Sequence, residues 1–77
     1  MTESEETGQI TGTKDKLYNL IWFTQASLDN ALRLETYIKD AERDGDSELA
    51  EFFRKAQDVS RRGGELGKQH LASRLTS

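Results

Sequence analysis

The chain has 77 residues, a formal net charge of −3, 34% hydrophobic and 32% charged residues, no cysteine, no proline and one histidine. That length allows one small domain, whose stability is marginal without added buried surface or a cross-link. Disulfides, thiolate metal sites and a multi-histidine site within one chain are excluded, while oligomerisation stays open as an aid.

Met1 to Thr13 is polar, acidic and glycine-containing. Glu3, Glu5 and Glu6 lie there with no base among them, and Ile10 is its one apolar residue after Met1. Such a segment buries too little to offset the entropy of ordering it, so residues 1–13 are expected to be a disordered acidic tail. The remaining eleven acids balance the eleven lysines and arginines. A balanced, interspersed surface lacks the concentrated basic footprint of a nucleic-acid binder. Nucleic acid is therefore not an expected partner.

The first helix is expected over about 14–43. Thr13 is its candidate N-cap, and Asp15 suits the positive end of the helix. Steps of three and four pick out Leu17, Ile21, Thr24, Leu28, Ala31, Glu35, Ile38 and Glu42. A second line adds Leu20, Phe23, Ser27, Leu34, Tyr37 and Ala41. Together they make a stripe wide enough for a bundle core. The absence of proline suits so long a helix.

A turn is expected at residues 44–46. Gly45 can adopt the left-handed conformation that ends a helix, and Asp46 then caps the next. So short a link forces two adjacent antiparallel helices. The second helix is expected over about 47–75, with Leu49, Phe52, Phe53, Ala56, Val59, Gly63, Leu66, His70, Leu71 and Leu75 as its apolar positions. Gly63, Gly64 and Gly67 each cost a helix interior about 1 kcal/mol relative to alanine. The apolar spacing nevertheless continues in phase through them, which favours one unbroken helix over a break at Gly63-Gly64.

Pairing across the turn places Leu17–Phe23 opposite Gly67–Ser73, a small and polar stretch. One helix cannot cover Leu17, Tyr18, Leu20, Ile21, Trp22 and Phe23, and each large side chain left wet forfeits roughly 1.5–3 kcal/mol. The expected fold is thus an all-α antiparallel hairpin that dimerises into a four-helix bundle. Leu17, Tyr18, Ile21, Trp22, Phe23, Leu28, Gly63 and Gly67 are the expected seam. Tyr18 and Trp22, an i, i+4 pair, should lie at its edge with polar tips in water.

The stretch "LETYIKDAERDGDSELAEFFRKAQ", Leu34 to Gln57, resembles the hairpins of ferritin-like and rubrerythrin-like proteins, and most of all short bacterial proteins that amount to half of that bundle. The shared elements are a glutamate followed closely by tyrosine, an Asp-Ala pair, a Gly-Asp turn, and Leu-Ala followed by Phe-Phe. The resemblance implies a four-helix bundle made from two copies. In iron-binding members one helix gives a glutamate and the next a Glu-x-x-His set, all aimed into the core. Glu35 stands where the first glutamate would be. The second element departs from the pattern: Asp58 with Arg61, or Gln57 with Ser60, falls at its place. His70 lies four turns too late and follows Glu65 at a spacing of five. Glu35, Asp58 and His70 are therefore the candidates for iron or another divalent metal, and no cofactor is expected from the residues themselves.

Other readings of these residues are simpler. Glu35 can be paired with Lys39 or Lys55 rather than a metal. His70 fits a hydrogen-bonded core or seam position, and Asp58 with Arg61 fits a helix-surface pair. Gly63-x-x-x-Gly67 has the spacing of membrane helix packing, but the charges around it exclude a lipid setting. The longest apolar run, Leu20–Phe23, is far too short to span a bilayer. No charged leader precedes an apolar core, so a cytoplasmic location is expected. No nucleophile–base pair, phosphate loop or thiol points to an enzyme. The expected role is a structural or protein-interaction module. A metal binder, or a small-molecule binder at the aromatic end, is the alternative.

Overall fold

The computed structural model describes residues 15–75. They form two helices, α1 (Lys16–Arg43) and α2 (Ser47–Leu75), folded back on each other as an antiparallel hairpin. The tail, Thr13 and Ile10 lie outside the described residues. The cap of α1 is Asp15 rather than Thr13: its backbone is extended, and its Oδ1 accepts from Leu17 N at 3.0 Å and Tyr18 N at 3.1 Å. A carboxylate there satisfies two otherwise orphaned donors and meets the positive end of the helix.

The turn satisfies both helices with three residues. Gly45 has φ +75°. Its N–H donates to Glu42 O at 3.0 Å, and Asp46 N–H donates to Ala41 O at 2.9 Å. These two bonds make a Schellman motif. Asp46 then caps α2, accepting from Leu49 N at 3.0 Å on Oδ1 and from Ala50 N at 3.0 Å on its carbonyl. One residue thus closes one helix and opens the next.

Facing residues follow alternating steps of three and four, the spacing of a two-stranded coiled coil. On α1 they are Leu17, Leu20, Thr24, Ser27, Ala31, Leu34, Ile38 and Ala41. On α2 they are Ala50, Phe53, Gln57, Ser60, Gly64, Gly67 and Leu71. Ile21, Glu35 and Glu42, expected on the core stripe of α1, are exposed. On α2 the difference is larger. The expected line Leu49, Phe52, Val59 and Leu66 faces outward, and the line one residue later, poorer in bulk, faces α1.

The glycines explain that choice. α2 is continuous through Gly63, Gly64 and Gly67. Gly67 is buried against Thr24: a Cβ there would overlap Thr24 Oγ1 and lie 3.0 Å from Thr24 Cβ. At Gly64 a Cβ would lie 2.7 Å from Leu28 Cγ. Thr24 cannot swing away freely, because its hydroxyl donates to Leu20 O at 2.7 Å. The helices approach closely at this end because α2 presents no side chain there. Gly67, expected in a seam between subunits, is instead part of the hairpin's own interior. So is the α1-facing side of Gly63, which lies against Ser27 and Phe23.

The resulting core is thin. Ala31, Leu34, Ile38, Ala41 and Ala50 are its buried apolar residues. Gly67→Ala should lower stability by about 1–2 kcal/mol, the overpacking cost exceeding the gain in helix propensity. Gly63→Ala meets ordinary contacts, with Ser27 Oγ 3.4 Å and Phe23 Cζ 3.5 Å away. It should raise stability by about 0.5–1 kcal/mol. Urea unfolding at one protein concentration measures both, and a stabilising Gly67→Ala would show that the helices are not held at this distance.

Candidate functional site

The hairpin has two edges of opposite character. On one edge, Arg54 of α2 pairs with Glu42 of α1. Arg54 also lies 3.5 Å from Glu51, Arg61 lies 4.0 Å from Asp58 and Lys68 lies 3.2 Å from Glu65. These exposed pairs are worth little individually, but they keep that side wet.

The other edge is apolar. Tyr37 of α1 packs on Phe53 of α2, ring centroids 5.5 Å apart, and Phe53 packs on Phe52 at the same distance. About two turns further from the hairpin bend, Asn30 Nδ2 donates to Ser60 Oγ at 2.8 Å. Beyond that, Phe23 lies over Gly63. Leu49, Phe52, Val59 and Leu66 run along α2 beside these groups, all exposed, Phe52 by 61% and Val59 by 73%. Gly63 and Ala56 lie among them, half-buried. The face is continuous from the bend to the third turn before the end of α2.

A second exposed group covers the outside of α1. Tyr18 and Trp22 form the expected pair, edge-on with centroids 6.0 Å apart and planes at 76°. Ile21 is exposed with them, and Leu32, which the sequence pattern does not single out, is 74% exposed. A shallow depression of about 200 Å³ beside Trp22 is lined by Gln25, Ala26, Asp29 and Arg33. The eight expected seam residues are thus divided. Phe23 and Gly63 belong to the apolar edge, and Tyr18, Ile21 and Trp22 to the rest of the α1 surface. Leu17 and Leu28 are half-buried, and Gly67 is interior.

The metal candidates are not brought together. Glu35 Oε1 accepts a hydrogen bond from Gln57 Nε2 at 3.0 Å. Asp58 sits by Arg61 on the outside of α2. His70 Nδ1 lies 3.1 Å from Arg74 Nη1 near the helix end. Among the described residues no group of three or more histidine, cysteine, aspartate or glutamate side chains is arranged to hold a metal ion. Nor is any helix among them long and apolar enough to cross a membrane.

Gln57 is the polar residue that sequence reasoning missed as structural. It is 7% exposed, sits on the facing line of α2, and donates to Ala31 O at 2.9 Å as well as to Glu35. A buried amide bonded across the hairpin holds the two helices in one register. No family model, curated protein or solved structure matches this chain.

Gln57→Glu tests the arrangement. The introduced carboxyl would be buried beside the Glu35 carboxylate and the Ala31 carbonyl, and both push its protonation upward in pH. The folded state then holds more protons than the unfolded chain, so stability falls as pH rises. A loss of about 3 kcal/mol at pH 7 that shrinks toward pH 4 is expected, read by thermal unfolding across pH. Gln57→Leu should show no such pH dependence.

Proposed function

We propose that this chain is a self-associating structural module, two hairpins joining into a four-helix bundle that serves as a protein-interaction unit. One observation carries the reading: the bulkier apolar line of α2, Leu49, Phe52, Val59 and Leu66, faces away from α1. A hairpin whose buried apolar residues are three alanines, one leucine and one isoleucine has little hydrophobic stabilisation of its own. Covering each large exposed side chain with a second copy contributes roughly 1.5–3 kcal/mol. Exposed aromatics such as Phe52, Trp22 and Tyr18 are the residue types enriched at interfaces. The resemblance to half of a ferritin-like bundle agrees with the same stoichiometry.

Sedimentation equilibrium at micromolar concentration should give the mass of two chains. Thermal unfolding should move to higher temperature as protein concentration rises, because association couples to folding. A single-chain mass with a concentration-independent transition would refute the proposal.

A further inference from the structure

We infer that the seam is the strip Phe52–Val59–Leu66, and that a second copy of this chain docks there with its α2 antiparallel, the two-fold axis passing by Val59. This rests on the self-association proposed above and names its surface and its geometry.

Four observations support it. First, the strip has no polar position along its centre, and the ion pair between the helices, Arg54 with Glu42, lies on the opposite edge. Second, the strip suits a two-fold. Phe52 and Leu66 stand seven residues either side of Val59, so reversing the helix sets a large apolar side chain on another at both ends, with valine on the axis. α1 repeats the symmetry, with Phe23 and Tyr37 seven residues either side of Asn30. An isologous interface requires such self-complementarity. Third, aromatic meets aromatic. The bend end carries Tyr37, Phe52 and Phe53 in ring contact, and the far end carries Phe23 over Gly63. Antiparallel docking sets each Tyr37 against the partner's far end.

The fourth is area. A helix of 28 residues is about 42 Å long, and two helices side by side are about 20 Å wide, giving a face of about 800 Å². That equals the share each partner contributes to a standard stable interface. Lys55 and Arg62 border the strip, so its rim is charged. The outside of α1 lacks this organisation: Trp22, Leu32 and Tyr18 are separated by Gln25, Asp29 and Arg33.

Val59 and Leu32 are almost equally exposed, at 73% and 74%, so a charge at either should leave the hairpin folded. In sedimentation velocity, Val59→Arg should weaken the dimer by at least about tenfold, the effect of disrupting one apolar side chain at the centre of an interface. Leu32→Arg should leave it unchanged, and circular dichroism should show helix in both. If Leu32→Arg dissociates the dimer and Val59→Arg does not, the seam is overturned while self-association stands. A wild-type chain that sediments as a monomer overturns self-association itself.

Orientation is read by cross-linking, which the cysteine-free chain makes clean. Val59→Cys should give a covalent dimer on mild oxidation. Phe52→Cys alone should not, since its two copies would be about 21 Å apart, and a disulfide needs Cα atoms within about 7 Å. Phe52→Cys mixed with Leu66→Cys should cross-link. Self-linking of Phe52→Cys as readily as Val59→Cys would mean parallel helices and would overturn the antiparallel arrangement.

Discussion

The close approach of the two helices at Gly64 and Gly67 is the constraint from which the rest follows. A helix that presents no side chain lets its neighbour's Thr24 and Leu28 press against its backbone. That contact decides which line of α2 faces inward. Ala50, Gln57, Ser60, Gly64 and Gly67 are small or polar, yet they take the interior because close packing is worth more than one-sided burial of bulk. Once that line is inside, the next line, one residue earlier, is rotated outward by about 100°. The outward face is therefore a consequence of the inward one.

This division separates two tasks that a longer protein assigns to different helices. The small line, with Gln57 bonded to Ala31 and Glu35, aligns the hairpin. Asp15, Gly45 and Asp46 close its helix ends. None of these groups adds much hydrophobic stabilisation, so they define a shape more than they stabilise it. The large line supplies the missing apolar area only when something covers it. On the self-association proposed above, folding and association would be coupled.

The same geometry accounts for the fate of the carboxylate reading. Glu35 lies near the facing line, which makes it look like a core residue when positions are projected on a helical wheel. In three dimensions it sits at the edge of the interface, where the Gln57 amide reaches out to it. Asp58 and His70 are on α2 turns that point away from it. The three candidate ligands are therefore spread over the hairpin, Glu35 on Gln57, Asp58 by Arg61 and His70 by Arg74.

Helix existence, helix length and the turn were legible in the chain itself. They depend on local chemistry: a proline-free run, steps of three and four, a glycine able to take φ +75°, and aspartates that bond the backbone two or three residues away. The pairing of Leu17–Phe23 with the glycine-rich end was legible too, because a three-residue turn leaves antiparallel helices one alignment. The rotation of α2 was not. Leu49–Phe52–Val59–Leu66 and Ala50–Phe53–Gln57–Gly64 obey the same spacing, and hydrophobicity alone favours the first. The tertiary structure chose the second, because only a pair of helices in contact can reveal that Gly67 leaves room for Thr24. The placement of a missing side chain has no local signature, and its effect exists only where another helix occupies the space.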